Sequence, residues 1–185
     1  MACLLMTAGA AGAGEQASSV GSAQRNNVGE MCKVTICQHN LHVVLKQKDG
    51  TVFDRTFDVM PGAVEPHWLV IIAGQTLNIE ADRVGSGLTN FKVVDSVQHP
   101  EKTLTLSLEQ TADGTMLLKL SNPYNQPLKF DMGMMRLDDE RLLKTSSCPV
   151  MAGGSSFETW QEPIFQVVLA NARFLDKGSA GSVCS

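Results

Sequence analysis

The stretch TLTLSLEQTADGTMLLKLS, residues 103–121, carries the clearest strand pattern in this chain. Its first half alternates apolar Leu104, Leu106 and Leu108 with polar residues, which is the period of a half-buried β-strand. The Asp-Gly pair at 113–114 accepts the positive φ of a tight turn, and a second apolar stretch follows it. We therefore predict an antiparallel hairpin.

Short apolar segments separated by turn residues continue on both sides of this hairpin. LHVVLKQ and TVFDRTFDV flank KDG, which predicts a second Asp-Gly hairpin. Further strands are predicted for HWLVII, LNIEAD, NFKVVDSV, PLKFDMGMMRL and IFQVVLANARFL. The last has a composition that also suits a helix, but its β-branched and aromatic content favours a strand buried on both faces. In SSFETWQEP a capping-box pattern interrupted by Pro163 predicts at most a short helix.

Eight or nine short strands without βαβ alternation predict an all-β fold, an antiparallel two-sheet sandwich. The segment MLLKLSNPYNQPLKFDM, residues 116–132, has two strands joined at an Asn-containing corner. It resembles the immunoglobulin-like or fibronectin-like sandwiches common in bacterial envelope proteins, over residues 32–175. The Cys…Trp…Cys spacing of antibody domains is absent, so the resemblance implies a fold and no functional residue.

The N-terminal region predicts export. Residues 1–13, MACLLMTAGAAGA, are uncharged, apolar and end in an A-x-A pattern, as the remnant of a signal peptide would. The usual positive segment is missing, so an ordinary N-terminus is the alternative. Residues 14–30 are small and polar and predict a flexible leader, followed by one domain over residues 31–185. No other apolar run approaches the roughly 20 residues of a transmembrane segment.

The cysteines support an oxidising compartment. Loss of residues 1–13 leaves an even number, namely Cys32, Cys37, Cys148 and Cys184. The favoured pair is Cys148–Cys184, which would tether the tail DKGSAGSVCS. Cys32–Cys37 is then the second pair, although crossed pairings remain open. The C-x4-C spacing is neither a C-x-x-C redox motif nor a zinc knuckle. The predicted location is periplasmic or secreted.

Histidine and methionine residues give the sharpest chemical alternative. Thioether and imidazole ligands suit copper, which predicts a site formed by His39 and His42 with Met132 and Met134. Methionine also fills irregular core gaps, and in that interpretation the chain has no cofactor.

Composition and motifs argue against two functional classes, nucleic-acid-binding proteins and enzymes. The net charge is −4 without a Lys/Arg cluster, which disfavours nucleic-acid binding. There is no G-x-S-x-G elbow, and a paired Cys148 could not serve as a nucleophile, so we expect no enzyme.

Recognition through loops or an edge strand remains. The contact candidates in SNPYNQP are Asn122 and Tyr124, although Tyr124 could instead pack over the corner of the sandwich. The candidates in SSFETWQEP are Phe157 and Trp160, which could instead fill the end of the core. The sequence predicts an exported, non-enzymatic binding or scaffolding protein of the bacterial cell envelope, with an unknown protein or envelope component as partner. The alternatives are a periplasmic copper-binding carrier and a secreted hydrolase inhibitor that inserts SNPYNQP.

Overall fold

A computed structural model describes residues 30, 32, 37–61, 64–176 and 184. The predicted signal remnant at 1–13, and the leader except for Glu30, lie outside the described residues. Twelve strands are present in the described part of the chain: β1 (Gln38–Lys46), β2 (Val52–Met60), β3 (Val64–Glu65), β4 (Trp68–Ile72), β5 (Thr76–Val84), β6 (Gly87–Val94), β7 (Thr103–Gln110), β8 (Met116–Ser121), β9 (Leu128–Arg136), β10 (Asp139–Thr145), β11 (Ser155–Trp160) and β12 (Ile164–Phe174).

The strands form two antiparallel sheets, which confirms the all-β prediction. One sheet is the β1–β2 hairpin, and the other has ten strands with the main order β10-β9-β12-β6-β5-β7-β8-β11, with β3 and β4 attached beside β12. The predicted count of eight or nine strands is wrong, because β3, β10 and β11 were not recognised. For β11 the expected helix is also wrong: six consecutive residues pair with β8, and this pairing outweighs the local capping signal.

Both predicted Asp-Gly hairpins are confirmed and share one turn geometry. In the β7–β8 turn the Gly114 N–H donates to Thr111 O at 2.9 Å, and Thr111 N–H donates to Thr115 O at 2.8 Å. The β1–β2 turn repeats this pattern with Gln47, Gly50 and Thr51. Gly114 has φ of 91°, a conformation that only glycine adopts without strain, so the turn fixes the register of the hairpin.

Strand β12 organises the ten-stranded sheet. Its residues 166–170 pair with β4 along one edge and with β9 along the other. Near its end, the single register pair Arg173–Gly87 joins it to β6. The sheet therefore has two parts, β3-β4-β12-β9-β10 and β6-β5-β7-β8-β11, which we call the β12 part and the β7 part.

The hydrophobic core draws on the inner faces of both parts. The fully buried leucines of β7 belong to the same cluster as alternate residues of β4 and β12, namely Leu69, Ile71, Val167 and Leu169. The β1–β2 hairpin adds Val43 and Leu45, while Phe53 and Phe57 pack edge-on against Phe165. Burial of this apolar area is the main stabilising term.

The outermost strands of the ten-stranded order, β10 and β11, approach each other through side chains. Trp160 Nε1 donates to Thr145 Oγ1 at 3.2 Å, and the backbone N–H of Cys148 donates to Glu158 Oε1 at 3.2 Å. The inner side of β11 is thus held against the segment that follows β10.

Candidate functional site

The outer face of the β12 part is apolar, and this face is the candidate site. In β12 the odd residues Val167 and Leu169 point into the core, whereas Gln166, Val168 and Ala170 are only half-buried. The prediction that this strand is buried on both faces is therefore wrong. The register places Val168 beside Val70 of β4 on one side and Gly133 of β9 on the other.

The half-buried residues of β12 and Val70 of β4 form the floor of an open depression of about 530 Å³, which we call the apolar groove. Eight of its nine described lining residues are apolar and the ninth carries an uncharged amide: Met60, Pro61, Trp68, Val70, Ile72, Leu142, Gln166, Val168 and Ala170. None of the nine can ionise, so these side chains supply no acid, base or charged nucleophile.

Leu142 of β10 forms one wall of the apolar groove because β9 has a glycine beneath it. A Cβ atom at Gly133 would lie 3.0 Å from Leu142 Cγ and Cδ1, closer than carbon atoms pack. The missing side chain lets Leu142 lie over the sheet, yet 54% of Leu142 stays exposed. Trp68, at another point of the lining, is 39% exposed. Two large apolar side chains thus remain partly in water.

The border of the apolar groove carries charge. Asp131, the register partner of Ala170, accepts hydrogen bonds from Asn171 Nδ2 at 2.9 Å and Arg173 Nη2 at 2.8 Å. These bonds, that from Asn171 first, hold the pKa of Asp131 below its usual range. Exposed Lys144 pairs with Gly133 in register. The border is therefore polar, while the lining is not.

The outer face of the β7 part is mostly polar by contrast. Thr105, Ser107, Lys119 and Ser121 occupy neighbouring positions on it, and Thr105 Oγ1 donates to Asn78 Oδ1 at 3.3 Å. Antiparallel sheets normally place such residues toward water. Apolar side chains also occur on this part. Leu117 shares the outer face with Lys119 and is half-buried, Val84 is 64% exposed, and Phe157 is 60% exposed with the Lys119 ammonium 5.9 Å from its ring centre.

The two aromatic candidates on β11 separate. Phe157 lies on the exposed side, whereas Trp160 is partly buried against the core and hydrogen-bonded to Thr145. Of the two predicted alternatives, the exposed position suits Phe157 and the core-filling position suits Trp160.

The candidates in SNPYNQP have structural contacts. The Asn122 amide is buried, donates toward three backbone carbonyls and accepts from Tyr124 N–H at 3.0 Å. Tyr124 packs edge-on against Phe174 at 5.1 Å and donates from its hydroxyl to Lys102 O at 3.2 Å. Burial raises the pKa of Tyr124. Both residues hold the corner together.

The four candidate copper ligands are divided between the two sheets, with the histidines on β1 and the methionines on β9. His39 and His42 are exposed on β1, and His42 Nε2 lies 2.8 Å from Asp54 Oδ1. Met132 faces the core with 6% exposure, and Met134 is partly buried against it. Within the described residues no three His, Cys, Asp or Glu side chains group as a metal site would require.

The cysteines form the favoured pairs, Cys32–Cys37 and Cys148–Cys184. The second bond links positions 36 residues apart and ties Cys184 to the segment after β10. Disulfides of this kind are typical of an oxidising compartment.

The residues of the apolar groove were not among the predicted site residues. Their signal was present, because apolar residues occupy both parities of IFQVVLANARFL and of HWLVII. For IFQVVLANARFL the sequence predicts burial on both faces, and only the pairing of β12 with β4 and β9 shows that one face is open.

Among the described residues, no helix is long and apolar enough to span a membrane. Comparison with known proteins places the chain in no family: no family model, no curated protein and no solved structure matches it significantly.

Proposed function

We propose that this chain is an exported, non-enzymatic binding protein of the bacterial cell envelope, built on an immunoglobulin-like sandwich. One observation carries the proposal: the outer face of the β12 part exposes an uncharged apolar groove, while the outer face of the β7 part is mostly polar. Apolar surface left in water, with a polar border, is characteristic of protein interaction sites.

Three observations support the individual elements of this proposal. The two disulfides favour the periplasm or the extracellular space. The all-β fold of antiparallel strands around one core favours the sandwich. The lining without an ionisable group favours recognition over catalysis at this groove.

The site differs from the one expected from the sequence. Loops and edge strands were the predicted contacts, but Asn122 and Tyr124 are engaged within the corner. The groove instead offers a sheet face with Leu142 and Trp68 partly exposed. Binding through this face depends on removal of apolar area from water, so it should strengthen with kosmotropic salts.

An uncharged, apolar fluorescent dye such as Nile red tests the groove without a known partner. We expect saturable binding to the folded, oxidised protein and at least tenfold weaker binding to Ala170→Glu, which places a charge in the lining. The matched control is Phe157→Glu, which places the same charge on the outer face of the β7 part, away from the groove. Equal loss in both variants, or no loss in Ala170→Glu, contradicts the proposal.

Export has its own test. When the chain is produced in a bacterium with its own N-terminus, the mass of the mature protein should correspond to cleavage after Ala13. Recovery of the oxidised protein with residues 1–13 still attached would reject the signal-peptide interpretation and leave the groove proposal in place.

A further inference from the structure

We infer that a second copy of this chain covers the apolar groove, in a reversible twofold dimer; this inference rests on the proposed binding function. The lining sets the chemistry of the occupant, because none of the nine residues can ionise. A charged ligand would lose its hydration there without gaining a partner. The occupant must present uncharged, apolar side chains.

The groove itself presents such side chains. Leu142 projects from its wall with 54% exposure, and Trp68 with 39%, next to a depression of about 530 Å³. In a twofold arrangement the same patch meets itself, so a projecting residue of one copy faces the depression of the other. A surface with both a depression and projecting apolar residues can be self-complementary in this way.

The charges around the groove are compatible with this arrangement. At one border Asp131 and Arg173 neutralise each other, so two copies can approach there without a net like charge. Lys144 beside Gly133 is exposed and can stay hydrated at the edge of the contact.

The stretches outside the described residues are poorer occupants. Residues 31–36, MCKVTI, carry Met31, Val34 and Ile36, but the Cys32–Cys37 disulfide closes most of this stretch into a short loop that cannot extend across four strands. Residues 177–183, KGSAGSV, offer a single valine. Residues 14–29, GEQASSVGSAQRNNVG, contain no large apolar side chain other than two valines. Residues 1–13 are more apolar but belong to the predicted signal remnant. A leader of small polar residues would bury little apolar area in the groove.

The size of the face determines the strength of the dimer. Four strands about 4.8 Å apart, over five residues of about 3.4 Å, cover roughly 300 Å² in each copy. The total of roughly 600 Å² is below the 1,200 Å² at which stable interfaces begin. Contacts of this size are weak and transient, so we expect a dissociation constant no tighter than about 10 µM and a monomer in dilute solution.

Sedimentation velocity of the oxidised full chain tests this inference. Between about 5 and 500 µM, a range that spans this limit on the dissociation constant, the average mass should rise from 19.9 kDa toward twice that value. Leu142→Glu should weaken association at least tenfold, and Trp68→Ser should weaken it in the same direction. Phe157→Glu should leave it unchanged, since Phe157 lies on the β7 part. Leu142 is exposed, so its replacement should keep the fold, and a retained thermal midpoint checks this.

The outcomes separate the inference from the proposed function. A monomer at every concentration that still binds the dye overturns the dimer and leaves a groove for another protein. A monomer that binds no dye overturns both. A dimer that survives Leu142→Glu but is lost in Phe157→Glu places the contact on the β7 part and also overturns the inference. Loss confined to Leu142→Glu and Trp68→Ser supports it.

Discussion

Replacing Asn122 with alanine should lower the free energy of unfolding by about 3 kcal/mol. The side chain is 1% exposed, and Nδ2 lies 2.8 Å from Gln126 O, 3.0 Å from Val150 O and 3.1 Å from Met151 O. Oδ1 accepts from Tyr124 N–H at 3.0 Å. The amide thus connects the corner to the segment that precedes β11.

The magnitude follows from how many bonds the amide can make at once. Nδ2 has two hydrogens for three carbonyl oxygens, so Asn122 makes about three hydrogen bonds in all, including the one it accepts. Each contributes about 1 kcal/mol net, and alanine leaves the buried backbone partners unsatisfied. With a urea m-value of about 2 kcal/mol/M, the unfolding midpoint should fall by about 1.5 M.

Urea unfolding of the oxidised protein measures this change, and the same loop supplies the control. Asn125 is exposed, and Asn125→Ala should stay within about 0.5 kcal/mol of the wild type. Asn122→Asp keeps an acceptor for Tyr124 but loses both donors and buries a carboxylate near carbonyl oxygens. It should destabilise at least as much as alanine. If Asn122→Ala matched Asn125→Ala, or if aspartate were tolerated, the reasoning would be refuted.

Three further outcomes are expected. Replacing Cys148 and Cys184 together by alanine should cost about 4 kcal/mol, because the bond spans 36 residues, and a loss below about 1 kcal/mol in urea unfolding would contradict the loop-closure argument. The pKa of Asp131 is lowered by its hydrogen bonds from Asn171 and Arg173, so these bonds stabilise the fold above the ordinary pKa of 3.8 and lose this effect as the pH falls through the folded-state pKa. The small difference in thermal midpoint between the wild type and Asp131→Asn should accordingly shrink from about pH 5 to about pH 2, and a constant difference would be inconsistent with the pairing. Tyr124→Phe should cost about 1 kcal/mol through the lost hydroxyl bond, and Tyr124→Ala about 3 kcal/mol, so unchanged stability in calorimetry would argue for a contact role in place of a structural one.

The strands that the sequence predicts best are those whose pattern is local. Leu104, Leu106 and Leu108 alternate with polar residues and lead into an Asp-Gly turn, and β7 and β8 form as predicted. β10 and β11 were missed because their residues alone carry no clear strand period. DERLLKT is mostly exposed, and SSFETW combines a capping pattern with aromatic residues. Their strand conformation depends on pairing with β9 and β8.

The candidate site shows the same division. The sequence of β9 allows Met132 to be either a copper ligand or a core residue. Its burial in the core depends on which face of β9 packs against the other strands. Tyr124 and Asn122 are predicted contact residues because the composition of a turn does not distinguish an exposed corner from a buried one. Val168 was expected inside because its strand is apolar on both parities.

The amino-acid pattern is sufficient to predict the strand class, the two tight hairpins and a cysteine complement suited to an oxidising compartment. These depend on residues close together in the chain, where the side-chain period and the φ of Gly114 act directly. Which apolar face is covered depends on contacts between strands that are distant in the chain. The exposure of Val168 depends on β4, β9 and Leu142, which join β12 from distant parts of the chain. An apolar pattern predicts that a strand face is buried away from water. The packing of distant strands determines whether that face is buried within the protein or remains available to a partner.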